Sequence, residues 1–477
     1  MIIRLASCVG ASAVLAACSL APPYVRPGLP TPETYPAKSA APASIAGLGW
    51  RQLYSDPDLT GLIEAALANN RDVRVATARM AQARAGVRIE GSGLYPQLAT
   101  VAAGTRGRRP ADLSITGQAT TSAQYQTALS AAWELDLWGR IASQREAALQ
   151  RYLATEAGRR AVATSLIAQV AGAYLLDREY EERLALARRT LATREEAVRI
   201  MRRRYEVGAG SKFDMTQSQL LLGQARTALE GLDGDREVNR NGLQLLVGRP
   251  IELAPGGLSL IQAALDQPLP AGLPSDLLIH RPDVAAAEAQ LRAANADIGA
   301  ARAAFFPEIS LTGAYGSASA ALDGLFKSGS SAWSFAPALT LPLFTAGRSA
   351  GNLDLAEARR TEAVAVYEQT IQQAFRDVSD ALARRRQLAA QIDDTQVVLA
   401  ALTERARLAD LRFGAGRSTY LEVLDAQRDL FETEQALVQL RRAHLASGVA
   451  LYAALGGGPE DGASFTTPSQ TNQEPPR

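Results

Sequence analysis

The sequence contains few of the residues that catalysis and metal binding most often use. Its 477 residues include two histidines, His280 and His444, and two cysteines, Cys8 and Cys18. A histidine-based metal site or a Ser-His-Asp triad would need one of these histidines, and neither lies in a recognisable motif. A glycine-rich phosphate loop following a strand is also missing. We therefore expect no catalytic residues, no metal site and no cofactor.

Net charge is nearly absent, and long stretches lack proline and glycine. Lys and Arg number 50 against 49 Asp and Glu, and a net charge of +1 gives no basic footprint for nucleic acid. Residues 111–249 and 343–458 contain no proline, while 141–207 contain two glycines and 352–413 contain none. Each of the last two segments therefore predicts a helix of about 60 residues, which would be roughly 90 to 100 Å long.

The long helical segments are rich in small and charged residues that favour helix. A two-stranded coiled coil would instead repeat large apolar residues in a sustained heptad. The stripe formed by Leu166, Val170, Ala173, Leu176 and Tyr180 is narrow and diluted by alanine. This pattern favours packing among several neighbouring helices, with a structural coiled-coil protein as the alternative.

The second half of the sequence repeats the landmarks of the first half in the same order. Asp283 and Pro307 lie 211 residues after Asp72 and Pro96. The later pairs are Gly139-Arg140 and Gly347-Arg348 at an offset of 208, Gly208-Ala209-Gly210 and Gly414-Ala415-Gly416 at 206, and Leu246-Val247-Gly248 and Ala454-Leu455-Gly456. The shared order predicts an internal tandem repeat whose halves take equivalent places in one fold.

Four shorter stretches alternate apolar and polar residues with the period of a β-strand. The alternation is strong from Leu129 to Leu137 and from Trp333 to Leu343, and weaker from Leu98 to Ala103 and from Ile309 to Tyr315. It fits a membrane barrel strand, or a soluble sheet with one buried face. Tryptophans near the segment ends resemble an aromatic girdle and favour the membrane: Trp133, Trp138 and Trp333. Because about eight strands is the lower limit for a transmembrane barrel, copies of the chain must pool their strands.

The first residues resemble a bacterial export signal. Arg4 precedes an apolar run that ends at Ala17 and is shorter than the about 20 residues that span a bilayer. The sequence Leu15-Ala16-Ala17-Cys18 resembles the lipobox of bacterial lipoproteins, which implies acylation of Cys18. A plain secretory peptide is the alternative. Ser19 resembles the residue found in lipoproteins sorted to the outer membrane, and the proline-rich segment 19–56 predicts an extended tether.

The whole plan resembles the TolC-like outer-membrane efflux channels, in particular their lipidated OprM/NodT-like branch. The resemblance rests on Trp50 through Asp58, Arg281 through Val284, Ala304 through Leu311, Leu343-Phe344 with Gly347-Arg348, and Tyr420 through Gln427. It implies a mainly α chain with membrane β: a homotrimer in which four strands per chain form a 12-stranded outer-membrane barrel, continued by a long periplasmic helical barrel.

The same resemblance implies the function and the partners. The family is not enzymatic, and its members are passive exit ducts of tripartite pumps. The implied partners are a periplasmic membrane-fusion adaptor, an inner-membrane transporter of RND type and outer-membrane lipid, with no nucleic acid. The expected location is the outer membrane, lipid-anchored and extending into the periplasm.

The landmarks predict the organisation of the chain. The expected segments are a signal peptide (1–17), a lipidated extended segment (18–58), the first repeat (59–250), a connecting equatorial segment (251–275), the second repeat (276–458) and a C-terminal tail (459–477). Each repeat is expected to contain a helix, two strands and two long helices.

The resemblance also places a gate at the periplasmic tip. In the family an acidic ring and an apolar ring narrow the channel there, and the matching residues are Asp425 and Leu421, one helical turn apart. Candidates for a salt-bridge network that closes the gate are Asp214, Arg412 and Arg417. Glycines permit the tight turns of the tip and are expected to form the adaptor-docking surface: Gly208, Gly210, Gly414 and Gly416.

A different class of protein stays possible on the sequence alone. A lipid-anchored periplasmic helical adaptor would also be acylated and helical. Such adaptors usually carry a separate β-domain with glycine-rich hairpins, whereas the strands of this chain lie between long helices.

Overall fold

The computed structural model describes residues 20–32, 34–35, 48–115, 117–253, 260, 272 and 280–457. The signal peptide, Cys18, most of the 251–275 segment and the 459–477 tail lie outside the described residues. The segment boundaries given above therefore stay predictions.

Helices account for most of the described residues. They are α1 (Trp50–Leu53), α2 (Pro57–Asn69), α3 (Arg71–Ser92), α4 (Arg140–Glu206), α5 (Lys212–Val247), α6 (Pro282–Ala303), α7 (Arg348–Gly414) and α8 (Tyr420–Ala454). Within the described ranges, no helix combines the length and the apolar character needed to cross a membrane.

The tandem repeat is visible in the lengths of the helices. Helices α3 and α6 have 22 residues each and begin 211 residues apart. Helices α4 and α7 have 67 residues each and begin 208 residues apart. The offset of 208 continues into the next turn, where Gly208 and Gly416 both have positive φ angles of 76° and 69°. The predicted offset of 206, which matched Gly210 with Gly416, is therefore wrong, because the two glycine triplets use different members for the same bend.

Four antiparallel strands form one sheet in chain order. They are β1 (Gln97–Arg109), β2 (Thr120–Leu135), β3 (Glu308–Ser319) and β4 (Ser331–Thr340). The pairs Trp133 with Leu311 and Leu129 with Tyr315 fix the register of the central strands. The sheet confirms the four alternating stretches, and β1 and β4 are its edge strands.

The register separates the side chains of the sheet into two chemically different faces, because directly paired residues point the same way. The apolar face carries Leu98, Leu129, Trp133, Leu135, Ile309, Leu311, Tyr315, Trp333, Phe335 and Leu339. The polar face carries Gln97, Gln126, Ser130, Glu134, Ser310, Thr312 and Ser334. On the apolar face Trp333 is 75% exposed and Tyr315 is 68% exposed, so one protomer leaves this face uncovered.

Strands β2 and β4 end earlier than the alternation predicts, which leaves Leu137, Leu341 and Leu343 beyond the strands. The carboxylate of Asp136 accepts hydrogen bonds of 3.1 and 2.7 Å from two amides in the first turn of α4. This cap starts the helix and stops β2. After β4, Pro342 has no amide hydrogen to donate to a strand ladder.

The sheet belongs to a compact unit built from residues 20–28, 78–156 and 286–368. The N-terminal residues of this unit lie along α6, where the Asn295 amide donates to the carbonyl of Pro22 at 2.7 Å. Glu288 accepts hydrogen bonds from Arg26 at 2.8 Å and from Arg292 at 2.7 Å. Burial would raise the pKa of Glu288, but these hydrogen bonds outweigh it and lower the pKa.

The second compact unit consists of the described residues within 29–77, 157–285 and 369–457. In this unit Asp177 of α4 is fully buried and accepts hydrogen bonds from Arg236 at 3.0 Å and Arg240 at 2.8 Å, both on α5. Arg178 donates to the same carboxylate at 2.9 Å. Burial alone would raise the pKa of Asp177, but the hydrogen bonds from Arg236 and Arg240 lower it to about 2. This ion cluster joins the two helices of the first long hairpin.

Candidate functional site at the helical turns

The two turns that join α4 to α5 and α7 to α8 have the same backbone geometry. In the first, the amide of Gly208 donates to the carbonyl of Tyr205 at 3.0 Å, and the next amide reaches back five residues at 2.8 Å. In the second, Gly416 donates to Phe413 at 2.9 Å, and the amide of Arg417 reaches back five residues at 2.8 Å. This pair of bonds, with a left-handed glycine, is the Schellman motif that closes a helix C-terminus.

Only one glycine of each predicted pair adopts the left-handed conformation. Gly208 and Gly416 have positive φ angles. Gly414 is the last residue of α7, and a Cβ added there would meet nothing within 4 Å. A Cβ added at Gly210 would lie 3.0 Å from the Cβ of Arg204. The bends therefore depend on Gly208 and Gly416 through backbone conformation, and Gly210 is restricted by close packing.

A hydrophobic cluster near the turns, here called the tip core, joins four helices. Its buried members are Ala197, Met201, Ala409, Tyr420, Val423, Leu424 and Ala426, with Met215, Leu221, Ala406 and Phe413 packed against them. The rings of Phe413 and Tyr420 lie 5.0 Å apart, and the guanidinium of Arg204 lies 5.1 Å above the Phe413 ring. Because the tip core joins both repeats, it agrees with packing among several helices and not with an isolated two-stranded coil.

The tip core orients the start of α8. Val423, Leu424 and Ala426 are buried on one side of the helix, and Leu421 and Asp425 lie on the other side. Leu421 is 42% exposed. The carboxylate of Asp425 lies 3.6 Å from the guanidinium of Arg428. The structure thus places the two predicted gate residues on one exposed helix face, one turn apart.

The other predicted gate residues do not meet one another within the described protomer. The guanidinium of Arg412 lies 3.7 Å from the carboxylate of Glu422. Asp214 lies in the first turn of α5, and its carbonyl accepts a 2.8 Å hydrogen bond from Ser218. Arg417 contributes its backbone amide to the second turn. A closing network formed by these residues stays a prediction.

Sequence reasoning missed the partners that the structure gives to the acidic residues of α8. Arg428 follows Asp425 by three residues, a helical spacing that could have identified the pair. Arg405 of α7 donates to Asp429 at 2.7 Å across the hairpin. This second pair has no local signal, because it depends on how the two helices align.

The described residues contain no group of three or more His, Cys, Asp and Glu side chains that could hold a metal ion. The exposed groups at the tip are apolar side chains, such as Leu421, and ion pairs, such as Asp425 with Arg428.

A profile of outer membrane efflux proteins matches the chain twice, at residues 62–249 and 273–457. The chain belongs to this family. The double match agrees with the repeat of helices and strands. This chain is thus built from two copies of one unit.

Individual relatives of this efflux protein agree with the assignment. The toluene efflux pump outer membrane protein TtgF of Pseudomonas putida is 44% identical over 464 residues, covering 94% of this chain and 96% of the relative. Outer membrane protein OprJ of Pseudomonas aeruginosa is 42% identical, covering 94% of this chain and 95% of the relative.

A solved structure supports the fold. The open state of the Neisseria gonorrhoeae MtrE outer membrane channel matches with a TM-score of 0.86 and 40% identity, covering 94% of this chain and all of that chain. This efflux protein therefore has the TolC-like channel fold and acts in efflux at the outer membrane.

Proposed function

We propose that three copies of this chain form the passive exit channel of a tripartite efflux pump. The observation that carries the proposal is the four-stranded sheet, which has an exposed apolar face and two edge strands. Edge strands expose unpaired backbone groups, and within a bilayer each such group costs several kcal/mol, so only a closed barrel is stable there. Joining β4 of one copy to β1 of the next closes a 12-stranded barrel from four strands per copy.

The dimensions of the strands suit this arrangement. Strands β1 and β4 have 13 and 10 residues, and a tilted membrane strand needs about 9 to 11. The apolar face would contact lipid, and the polar face with Gln126, Ser130 and Glu134 would line the lumen.

The N-terminal segment supports a lipid anchor at Cys18. The carbonyl of Leu20 accepts a hydrogen bond from Arg302, near the end of α6 that leads into β3. Leu20 follows Cys18 by two residues in the sequence and is held at the end of the sheet where the helices join. This position of Leu20 is compatible with a lipid anchor in the same membrane as the sheet.

The proposed partners are a periplasmic adaptor and an inner-membrane transporter of RND type, which supplies the energy. This proposal is supported by relatives that belong to efflux pumps, such as the toluene efflux pump protein TtgF. We propose that the turns around Gly208 and Gly416 form the adaptor-docking tip. Leu421 and Asp425 would form the gate in three copies, with Asp214, Arg412 and Arg417 nearby to stabilise the closed state.

The membrane role can be tested with two neighbouring residues on opposite faces of β4. Phe335 lies on the apolar face and is 63% exposed, whereas Ser334 lies on the polar face. Phe335→Asp should lower the yield of membrane-inserted, heat-resistant trimer, because a carboxylate would face lipid. Ser334→Asp should insert normally.

A second experiment distinguishes the channel from the alternative, a lipid-anchored helical adaptor. Native mass spectrometry of the parent protein in mild detergent should give a trimer. A monomer or dimer that high-pH carbonate removes from membranes would favour a lipid-anchored helical adaptor. Equal insertion of the two aspartate variants would contradict the assignment of the lipid-facing side.

A further inference from the structure

The β1–β2 hairpin extends past the rest of the sheet and carries arginines that the channel function does not use. The last residue of β3 paired with β2 is Ser319, opposite Tyr125. Beyond that point β1 and β2 continue to pair for five more residues, from Thr105 with Gln124 to Arg109 with Thr120. Arg106, Arg108 and Arg109 all lie in this extension.

The register assigns these arginines to different faces. Leu98 lies on the apolar face, and side chains alternate along a strand, so Arg106 and Arg108 lie on the apolar face. Arg109 lies on the polar face. All three arginines are exposed, and within the described protomer Arg106 and Arg108 have no ion-pair partner.

Strand geometry places the two outward arginines at the edge of the membrane. Arg106 and Arg108 are eight and ten residues beyond Leu98, which corresponds to about 26 and 33 Å along the strand at 3.3 Å per residue. With a tilt of about 40°, they lie about 20 to 25 Å above Leu98, and the apolar band of such barrels is about 25 Å tall. With Leu98 at the lower edge of the band, Arg108 lies at its upper edge, and the long side chain of Arg106 can extend about 5 Å to bring its guanidinium to the headgroups.

The residues next to Arg106 on the same face are also typical of the headgroup level of a membrane. The ring of Tyr125 covers Gly104, where an added Cβ would lie 3.0 Å from the ring. This places an aromatic ring one position before Arg106 on the same face, as expected in an interfacial girdle. The hairpin end opposes the end of the sheet where the N-terminal segment and the helices join, so it faces the outer leaflet if the channel is oriented as proposed.

The second repeat provides an internal comparison. At the offset of 211 that relates β1 to β3, the residues equivalent to Arg106 and Arg108 are Ser317 and Ser319. The β3–β4 end has one lysine, Lys327, and it forms a 2.8 Å ion pair with Asp323. The unpaired outward charge thus belongs to the first hairpin alone and is not a general property of the repeat.

We propose that Arg106 and Arg108 form a binding site for the phosphate groups of a glycolipid in the outer leaflet. Guanidinium groups form charge-assisted, often bidentate hydrogen bonds with phosphate. Two arginines spaced two residues apart on one face can engage one phosphorylated headgroup. The site rests on the proposed membrane orientation, and each of the three copies contributes one site.

The test compares lipid binding by three proteins with the same assembly. The parent trimer in mild detergent is titrated with lipid A, a doubly phosphorylated glycolipid, and with zwitterionic phosphatidylcholine. Retained lipid is counted by native mass spectrometry. The parent should retain lipid A selectively. The variant Arg106→Ser/Arg108→Ser, which gives β1 the residues of β3, should bind lipid A about tenfold more weakly or worse.

Arg109→Ser is the control on the opposite face, since it removes one positive charge from the same hairpin and leaves both outward arginines in place. It should retain lipid A like the parent. If Arg109→Ser loses as much lipid as the double variant, or the parent retains phosphatidylcholine equally, the proposed site is wrong. A parent protein that is not trimeric refutes the proposed function, whereas a conducting trimer that binds phosphatidylcholine as well as it binds lipid A refutes only this inference.

Discussion

The hairpin α4–α5 and the hairpin α7–α8 have the same backbone geometry at their turns. They differ in the charge of the side chains at equivalent positions. Both turn at a left-handed glycine, and their residues correspond at an offset of 208. Leu421 corresponds to Phe213, and both side chains are exposed, at 42% and 65%. Asp425 corresponds to Gln217. The same position on the frame thus carries a carboxylate in one hairpin and a neutral amide in the other.

The first hairpin also contains a buried cluster of charged side chains. Asp177 is fully buried and neutralised by arginines of α4 and α5. Beside the tip of the second hairpin, Asp429 pairs with Arg405, and about half of that arginine side chain is exposed. The duplicated frame is therefore preserved, while the first hairpin holds a buried ion cluster around Asp177 and the second carries a carboxylate, Asp425, where the first has an amide.

The largest expected effect comes from removing the buried carboxylate. Asp177→Asn removes the buried anion that Arg178, Arg236 and Arg240 share, and only the partly exposed Glu181 still pairs with Arg178 and Arg236. Breaking a buried ion pair in this way costs at most about 3 to 5 kcal/mol of unfolding free energy. Asp429→Asn breaks a largely exposed pair and should cost about 0 to 1 kcal/mol. Thermal unfolding of the detergent-solubilised protein measures both. Similar costs for the two variants would contradict the contrast between the hairpins.

Acid should remove the stabilisation that the ionised carboxylate of Asp177 provides. Asp177 has a pKa of about 2 in the folded protein against an ordinary value of 3.8. Because the folded value is the lower one, the stabilisation is complete above about pH 4 and is lost as the pH falls toward 2. The stability difference between the parent and Asp177→Asn should shrink over that interval. A difference that stays constant from pH 6 to pH 2 would show that the carboxylate charge is not responsible.

The second expected effect concerns the gate. In the proposed gate, three copies of Asp425 would surround an axis and repel one another, and an acidic ring favours cations. Leu421→Ala should raise single-channel conductance in planar bilayers, and Asp425→Ala should lower cation selectivity and block by multivalent cations. The matched changes Phe213→Ala and Gln217→Ala should affect selectivity much less. If the first-hairpin variants change conductance and selectivity more than the second-hairpin variants, the gate assignment is reversed.

A smaller effect is expected from the bend itself. Gly416 has a positive φ and open space around it, so Gly416→Val is strained by backbone conformation alone, by about 1 to 2 kcal/mol. Export by a strain that depends on this channel should fall, while the trimer still assembles. Gly351→Val, at a helical position of α7 with open space and far from the turn, is the control. Equal drug susceptibility in the parent and Gly416→Val strains would argue against docking at this turn.

The strands and the repeat could be predicted from the sequence because their signals are local. Alternation located all four strands, and Asp72 with Asp283 located the matching helices. The register of the turns was mispredicted because two similar glycine triplets were matched by letters. Only the backbone shows that Gly208, and not Gly210, corresponds to Gly416.

The ion pairs were harder to predict because they depend on tertiary alignment. Asp177 lies in a charged helical stretch that is typical of a solvated surface, and only packing against α5 buries it. Arg412 was expected in a network with Asp214, yet it lies next to Glu422, which the turn brings closer. The exposed face with Leu421 and Asp425 was accessible to sequence reasoning, since residues four apart share one side of a helix.

The smallest expected effect comes from a residue outside both hairpins. If Cys18 is acylated, Cys18→Ala should abolish metabolic fatty-acid labelling. It should weaken membrane retention only modestly, because one lipid anchor adds little affinity beside a transmembrane barrel. Cys8→Ala is the matched control. This variant should leave labelling unchanged, since Cys8 lies in the predicted signal peptide.

The difference in selectivity between the Asp425 and Gln217 variants should persist in Cys18→Ala trimers, because the proposed anchor would hold the channel in the membrane without shaping its tip. Labelling of the Cys18→Ala variant as strong as that of the parent would refute the anchor, and complete loss of membrane insertion would show that the strands alone do not hold the protein.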